Sequence, residues 1–349
     1  MIKNNSFSIE WISKVSKNIK ADRILVEKAI MAMALLEGLA ESSLQFIFKG
    51  GTALMLLFQK PHRLSIDIDI IVNPQEADIG EILKSICYLK GFSRFEEQIR
   101  PSGNNIPVSH FKYYYNSSVE GKESSILLDI LFEDNPYDSL VEIPIVNGFI
   151  DTEVPVINVK VPDFNNLLAD KLTAFAPLTI GVPYKKGDVS CGMEIIKQLY
   201  DIGCLFDKAS DVLSVSRTYH RIANQELTYR GNISSVDDVL QDTLVNALSI
   251  CFRKAYHKAD FDTLSSGIKQ VGSYIFSEHF HLEKAILAAA KTVYLTSLLL
   301  SGSNTIEKYS DKRISEIADW TIKEYEYTKL NKLKKTNPEA FFYLYLALQ

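Results

Sequence analysis

The segment spanning residues 46–72 constrains the fold more than any other part of this sequence. Its first residues, 46–49, form a short apolar run that reads as a strand, and Gly50, Gly51 and an apolar helical stretch follow. Residues 65–70 then alternate strictly between polar and apolar side chains, and the apolar Ile71 and Val72 follow. Because the side chains of a strand alternate between its two faces, one face would carry Ser65, Asp67 and Asp69. The segment is therefore predicted to fold as strand, glycine turn, helix, loop and strand.

Two carboxylates on one strand face are the chemical peculiarity of this segment. Asp67 and Asp69 would repel each other unless a cation lay between them, and hard cations such as Mg²⁺ prefer carboxylate oxygens. Upstream, Gly50 and Gly51 would let the backbone approach a ligand, and Thr52 would open a helix whose N-terminal N–H groups favour phosphate. A Gly-Gly pair alone is often only a tight turn, and Asp-x-Asp alone is often the solvated face of an edge strand. Together, in this order, they indicate nucleotide phosphates on a glycine turn beside paired metal ligands.

The same segment carries a more specific resemblance. The chain contains Lys49-Gly-Gly-Thr52 followed by Arg63-x-Ser65-x-Asp67-x-Asp69. This pattern resembles the motif of the AbiEii/AbiGii toxin family of polymerase-β-like nucleotidyltransferases. The resemblance implies the toxin half of a type IV toxin–antitoxin or abortive-infection system, which acts in phage defence. The implied reaction transfers a nucleotidyl group from an NTP to an acceptor and uses two Mg²⁺ ions. The implied acceptor is the 3′ acceptor end of tRNA, and the implied partner is a cognate antitoxin.

The predicted fold class is α+β. A polymerase-β-like nucleotidyltransferase core, in which helices flank a mixed sheet, would be followed by an α-helical C-terminal domain. Residues 1–162 would form the core with its helical N-terminal lead-in, because strand-like alternation is confined to this part of the chain. Residues 163–349 would form the helical domain and contribute a Lys and an Asp to the active site.

The spacing of apolar side chains predicts the individual elements. Strands are predicted at residues 45–49, 65–72, 92–99, 110–115, 125–132 and 157–161. Helices are predicted at residues 7–18, 21–41, 52–59, 78–90, 164–175, 191–207, 209–227, 236–257, 260–277, 281–301, 311–334 and 338–348. Residues 177–188, rich in Gly, Pro and Lys, are predicted to form an exposed loop.

Asp129 interrupts the apolar run of residues 125–132. A buried carboxylate without a partner is costly, so this side chain is expected to be protonated, paired or bound to metal. In the polymerase-β-like fold a later strand brings a third carboxylate beside the first two, and Asp129 is the candidate. It would help to bind the second ion and activate the acceptor hydroxyl. The alternative is that Asp129 ends its strand and faces solvent, because Glu133 and Asp134 follow it.

Two predicted helices carry the remaining candidates. By position alone, Lys171 is a surface lysine whose stem covers apolar surface, and Lys197 and Asp201 have ordinary i,i+4 helix spacing. The family, however, carries a lysine in an Ala-x-Lys-x-x-Ala context, matched here by residues 169–174, and then a basic residue shortly before an Asp. The resemblance implies that Lys171 contacts the triphosphate and that Asp201 is a base or orients that lysine. Gln198 stands where the family often has Asp, which leaves the nucleotide-binding role of Lys197 open.

Three residues beside the central motif are further candidates. Ser65 shares a strand face with the aspartates and could contact a phosphate. Arg63 could do the same, with pairing to a neighbouring acid as the alternative. Lys49 precedes the glycines and could equally be a surface residue at the end of its strand.

Composition limits the class of protein. The formal net charge of −5 argues against coating by nucleic acid, although a local basic patch is still possible. Residues 329–335 form such a basic cluster, with a solvated helix face as the alternative reading. Four scattered cysteines without a Cys-x-x-Cys pair argue against a disulfide framework or a zinc site and fit the cytoplasm. The N-terminus lacks the apolar core of a signal peptide, and residues 285–300 form too short a run, containing Lys291, to span a membrane.

Two other possibilities stay open at this point. His279-x-His281 is interpreted as a helix-boundary feature rather than a metal site, because no third ligand lies at metal spacing. In place of RNA, the enzyme could modify a protein or a small molecule. A non-catalytic module that binds a nucleotide is the alternative from a different class, and the presence of Asp67, Asp69 and Asp129 argues against it.

Overall fold

The structure, a computed structural model, describes residues 1–75, 79–98, 106–256 and 258–349. The chain divides into two compact units. The first comprises Met1–Asp163 and Ser273–His279, and the second comprises Phe164–Gly272 and Phe280–Gln349.

The first unit contains both helices and strands. Its helices are α1 (Ile9–Ile19), α2 (Arg23–Glu41), α3 (Gly50–Leu57) and α4 (Gly80–Leu89). Its strands are β1 (Phe46–Lys49), β2 (Ile68–Val72), β3 (Arg94–Glu97), β4 (Val108–Asn116), β5 (Glu123–Phe132), β6 (Leu140–Pro144) and β7 (Asn158–Pro162). The starting residue predicted for the fourth helix, Asp78, and the last residue predicted for the third strand, Ile99, lie outside the described residues.

A five-stranded mixed sheet forms the centre of this unit, with strand order β1-β2-β5-β4-β3. Strands β2 and β5 are parallel, and the other neighbouring strands pair antiparallel. Strands β6 and β7 form a separate antiparallel pair. The prediction of an α+β fold with a mixed sheet and flanking helices is confirmed.

The two faces of the sheet differ as the alternation in the sequence predicts. Ile68, Ile70 and Ile130 are at most 1% exposed, whereas Asp69 and Asp129 are only partly buried. Helix α2, which contacts β2 and β5, is apolar around its circumference and buried along most of its length. Each fully buried isoleucine contributes about 1.5–3 kcal/mol, so the apolar face fixes which side chains of β2 and β5 face away from it.

Two boundaries in the central motif differ from the prediction. Strand β2 begins at Ile68 rather than at residue 65: Ile68 is the first residue paired with β5, and Asp69 is paired with Lys49, the last residue of β1. Helix α3 begins at Gly50 rather than at Thr52, so the glycines form its first turn. Gly50 has a φ of +78°, a left-handed conformation that glycine adopts without a steric penalty.

The segment Ser273–His279 pairs with the loop before β2, although the sequence predicted a helix up to residue 277. Ile275 forms an isolated β-bridge with Arg63, and the Leu64 N–H donates to the Tyr274 carbonyl at 2.8 Å. The preceding helix ends at Gln270, and a short 3₁₀ turn follows. The β-branched and aromatic residues that end the predicted helix are therefore extended instead.

In the described part of the second unit, the regular secondary structure is helical apart from a small hairpin. Its helices are α5 (Phe164–Ala174), α6 (Gly192–Lys208), α7 (Val212–Tyr229), α8 (Val236–Phe252), α9 (Lys258–Gln270), α10 (Leu282–Ser301), α11 (Ile314–Asp319), α12 (Leu333–Thr336) and α13 (Pro338–Ala347). The hairpin, β8 (Lys185–Lys186) and β9 (Val189–Ser190), lies in and just after the predicted exposed loop. The predicted end of the α8 helix at His257 lies outside the described residues.

The prediction of one long helix over residues 311–334 is wrong. These residues form short 3₁₀ and α-helical segments, with Trp320 in extended backbone between them. Trp320 stacks on Tyr345 at 4.5 Å between ring centroids, a tertiary contact that local spacing does not predict. The capping box predicted at Ser235 and Asp238 is confirmed at the start of α8.

Among the described residues, one helix is long and apolar enough to cross a membrane. It is α10, and 72% of an apolar 18-residue stretch of this helix is buried inside the protein. This agrees with the prediction of a buried core helix.

Candidate active site

Four polar side chains form a row across the sheet of the first unit. Lys49 on β1 pairs with Asp69 on β2, Asp69 pairs with Asp129 on β5, and Asp129 pairs with His110 on β4. Neighbouring strands lie about 4.8 Å apart, and residues paired across strands point to the same face. The row therefore lies on the face opposite the apolar core, with Asp69 and Asp129 as direct neighbours. Asp129 lies within β5, so it does not end its strand.

His110 is the member of this row that sequence analysis missed. Its Nδ1 lies 2.7 Å from Oδ1 of Asp129. The side chains of His110 and Asp129 are 17% and 29% exposed. His110 alternates with Phe111 and Tyr113, which pack on the other face, so its direction could be read from the sequence. Its partner could not, because the register between β4 and β5 is a tertiary property.

Asp67 lies just before β2, one residue outside the strand. Its carbonyl accepts a hydrogen bond of 2.5 Å from the hydroxyl of Thr52. Thr52 is fully buried, and its side chain ties the first turn of α3 to the residue before β2. The contact of Thr52 with phosphate stays a prediction.

The two glycines provide space for the side chains that follow them in the motif. A Cβ at Gly50 would overlap the carboxylate of Asp69. A Cβ at Gly51 would overlap the guanidinium of Arg63 and would lie 2.8 Å from Oγ of Ser65. The structure therefore brings Gly50 against Asp69, and Gly51 against Arg63 and Ser65.

Arg63 is a buried residue rather than a surface one. It is 7% exposed, and its Nη1 donates to the Leu64 carbonyl at 3.0 Å. The guanidinium therefore places a fixed positive charge beside Gly51 at the N-terminus of α3, where backbone N–H groups also favour an anion. This end of the helix is suited to a phosphate.

The acidic side chains of this site have the chemistry that a divalent cation requires. Asp67, Asp69 and Asp129 offer carboxylate oxygens, which are the ligands that Mg²⁺ prefers. Asp69 and Asp129 are neighbours in register. Within the described part of the chain, however, no three His, Cys, Asp or Glu side chains converge closely enough to hold an ion. The donor set fits a metal by its chemistry.

The candidates of the second unit form a buried cluster of their own. The ammonium of Lys171 on α5 lies 3.3 Å from Oδ2 of Asp201 on α6. The two side chains are 6% and 2% exposed. Lys171 also donates to Oε1 of Gln198 at 3.1 Å, so the residue that departs from the family pattern contacts the lysine directly. Lys197 is partly buried on the same helix.

The interpretation of Lys171 as an ordinary surface lysine is wrong. Its stem and its ammonium are both buried, and Asp201 and Gln198 fix the position of the charge. Of the two roles considered for Asp201, base or orienter, this geometry favours the orienter. A nearly inaccessible carboxylate that already pairs with an ammonium is poorly placed to take a proton from a substrate.

Two other sequence features have ordinary structural surroundings. His281 is the N-cap of α10, where its Nδ1 accepts from the Glu283 N–H at 3.2 Å, so its interpretation as a helix-boundary residue is confirmed. In the basic cluster of residues 329–335, Lys329, Lys332 and Lys335 are exposed. A role of this cluster in RNA binding stays a prediction.

Comparisons with known proteins give one family. The profile of the nucleotidyl transferase AbiEii toxin family, of type IV toxin–antitoxin systems, matches residues 34–270. No curated protein sequence gives a significant match.

Several solved structures are similar to this chain. The nucleotidyltransferase toxin MenT4 from Mycobacterium tuberculosis has a TM-score of 0.49 and 14% identity, over 95% of this chain and 98% of that chain. A putative nucleotidyltransferase from H. pylori has a TM-score of 0.45 and 14% identity, over 81% and 97%. The protein JHP933 from Helicobacter pylori has a TM-score of 0.44 and 13% identity, over 81% and 94%.

The family assignment rests on the sequence profile. The matched span covers more than half of the chain and includes the motif of residues 49–69 together with Asp129, Lys171 and Asp201. The resemblance inferred from the sequence is thereby confirmed. The chain belongs to the AbiEii nucleotidyl transferase toxin family of type IV toxin–antitoxin systems.

Proposed function

We propose that this toxin transfers a nucleotidyl group from an NTP to the 3′ end of tRNA and so stops growth until its antitoxin counteracts it. Family membership implies a nucleotidyltransferase activity, an NTP substrate and an antitoxin partner. The choice of tRNA goes further and rests on the resemblance described above. The reaction belongs in the cytoplasm, where NTPs and tRNA are found.

The observation that carries the proposal is the register between β2 and β5, which makes Asp69 and Asp129 neighbours on the face of the sheet opposite the apolar core. A hydroxyl of the acceptor would form a bond to the α-phosphorus of the NTP, and the bond from that phosphorus to pyrophosphate would break. The proton of the hydroxyl would pass to the Asp129 carboxylate. Positioning and charge stabilisation, rather than covalent chemistry by the protein, provide most of the catalysis of such transfers.

The remaining residues of the first unit would bind the donor nucleotide. Gly50 and Gly51 would receive phosphate oxygens on backbone N–H groups, and Arg63 and Ser65 would contact the same phosphates from beside Gly51. Asp67 and Asp69, with Asp129, would hold Mg²⁺, which when bound neutralises charge on the triphosphate. The role of Lys171 on the triphosphate comes from the resemblance and is part of this proposal. The resemblance leaves Asp201 as a base or as the orienter of Lys171, and the buried ion pair supports the orienter.

Labelling of total tRNA tests the proposal. The protein is incubated with Mg²⁺, total tRNA and one of the four α-labelled NTPs at a time. We expect RNA to be labelled by the wild type and not by Asp69→Asn or Asp129→Asn. Asp134→Asn is the matched control, because it removes an exposed carboxylate from the loop after β5 that pairs only with Asn73 among the described contacts.

The other outcomes decide between the alternatives. Label on protein instead of RNA would identify a protein acceptor. Equal labelling by the wild type and Asp69→Asn would show that the activity does not come from this site. Binding of NTP without labelling of any acceptor would support a non-catalytic module.

A further inference from the structure

We propose that His110 is a positioning residue for this nucleotidyl transfer and that it acts by fixing the orientation of the Asp129 carboxylate. The inference rests on the proposed function, in which Asp129 receives the proton of the acceptor hydroxyl. It adds a residue that neither the sequence motif nor the family resemblance identifies. The experiments below separate a failure of this inference from a failure of the proposed function.

The contact is short and comes from two paired strands. His110 and Asp129 are partners in the register of β4 and β5, and their Nδ1 and Oδ1 atoms are 2.7 Å apart. This distance is typical of a hydrogen bond in which one group is charged. Both side chains are partly shielded from water, so solvent competes with the contact less than it would at an exposed site.

The chemistry of the pair determines which atoms remain available. An ionised carboxylate has no proton to donate, so Nδ1 of His110 must carry the proton of this hydrogen bond. The bond therefore occupies Oδ1 of Asp129 and leaves Oδ2 as the oxygen that can face a substrate. In the neutral ring it also leaves Nε2 as an acceptor.

The other neighbour of Asp129 shows why such a contact is needed. On the β2 side, the residue in register is Asp69, whose carboxylate has the same charge. Two carboxylates on adjacent strands repel each other, which favours rotation of either side chain out of the row. A donor on the β4 side opposes that rotation of Asp129, so the carboxylate stays in the row before any ligand binds.

Steady-state kinetics test the positioning role. Loss of a residue that orients a ligand or a base typically costs 10–100-fold in activity, so we expect His110→Ala to lower kcat by about 10–100-fold. We expect little change in KM for the NTP, because His110 does not contact the phosphate side of the site. His110→Asn should restore most of the activity, because an Asn amide can donate from nearly the position of Nδ1.

A matched control comes from the same strand. Tyr114 lies on the same face of β4 as His110 and donates its hydroxyl to an oxygen of Glu96 at 2.9 Å. Tyr114→Phe therefore removes a hydrogen bond from β4 without touching Asp129, and we expect wild-type kcat. Thermal unfolding of all three variants shows whether a loss of activity reflects a loss of folding.

Nuclear magnetic resonance tests the contact without any assay of activity. In ¹⁵N-histidine-labelled protein at about pH 8.5, where an ordinary imidazole is neutral, we expect the His110 ring to carry its proton on Nδ1. His110→Asn identifies the signal by its loss, and Asp129→Ala should release the ring from this tautomer. A ring protonated only on Nε2 in the wild type would overturn the inference.

The kinetic outcomes are equally decisive. If the wild type labels RNA and His110→Ala labels it at the same rate, the positioning role is wrong although the proposed function stands. If the same low rate is found for His110→Ala and His110→Asn in folded protein, the hydrogen bond is not what matters, and the inference also fails. If the wild type labels no acceptor, the proposed function fails, and the tautomer still decides whether His110 fixes Asp129.

Discussion

The buried pair of Lys171 and Asp201 gives the prediction with the largest expected effect on stability. Removal of one partner leaves the other charge buried without compensation, which typically costs about 3–5 kcal/mol. The side chains here are 6% and 2% exposed and 3.3 Å apart, so water has little access to the pair. We therefore expect Asp201→Asn, which leaves the buried Lys171 ammonium without this carboxylate, to lower the free energy of unfolding of the second unit by an amount in this range.

The double variant separates stability from function. Adding Lys171→Met to Asp201→Asn removes the buried ammonium as well, so the free energy of unfolding of the double variant should lie closer to that of the wild type than that of Asp201→Asn does. Its nucleotidyltransferase activity should be lost, because the lysine is absent. Gln198→Ala, which removes only the neutral contact to Lys171, should cost less than Asp201→Asn.

The chain offers a convenient probe for this measurement. It contains two tryptophans, Trp11 in the first unit and Trp320 in the second. In a Trp11→Phe background, urea unfolding followed by the fluorescence of Trp320 reports the second unit. A cost below about 1 kcal/mol for Asp201→Asn would refute the reasoning, since such a value is typical of an exposed ion pair. A double variant that is no more stable than Asp201→Asn would refute it as well.

Three further predictions follow from other contacts. Gly50→Ala should reduce activity about 100-fold or more, because the new Cβ displaces the Asp69 carboxylate, and it should destabilise the fold, because Gly50 has a left-handed φ. Labelling of tRNA measures the first effect, and urea unfolding measures the second. Burial lowers the pKa of Lys308 to about 8. An amine-specific reagent should therefore modify this lysine at half its maximal rate near pH 8, whereas ordinary lysines require about pH 10. Mass spectrometry measures the modification. Ser235→Ala removes the capping box with Asp238 and should cost about 1 kcal/mol in urea unfolding, whereas an unchanged midpoint would contradict the contribution of the cap.

The central motif could be predicted from the sequence because its information is local. A strict alternation over residues 65–70 decides which side chains face the core, and the glycines mark the turn between β1 and α3. The boundaries were less predictable, because the start of β2 at Ile68 depends on its pairing with the neighbouring strands. Local spacing contains no information about the length of a partner strand.

The features of the site that the sequence did not predict depend on tertiary contacts. His110 became part of the site only through the register of β4 against β5, and the burial of Lys171 only through the packing of α5 on α6. Sequence spacing alone suggested a surface position for Lys171. The same limitation explains the error at residues 311–334, where the stacking of Trp320 on Tyr345 interrupts a run that has helical spacing.

Because Ser273–His279 belongs to the first unit, a fragment that ends before this segment lacks part of that unit. A gene fragment that stops at Asp163 would encode the whole five-stranded sheet and still lack the backbone that pairs with Arg63 and Leu64. The loop that carries Arg63, which we propose contacts the phosphates of the NTP, would then lose these backbone contacts. A split version of the toxin, made for complementation or for controlled reassembly, should therefore not be divided at the obvious boundary between strands and helices, because the polypeptide crosses between the units three times.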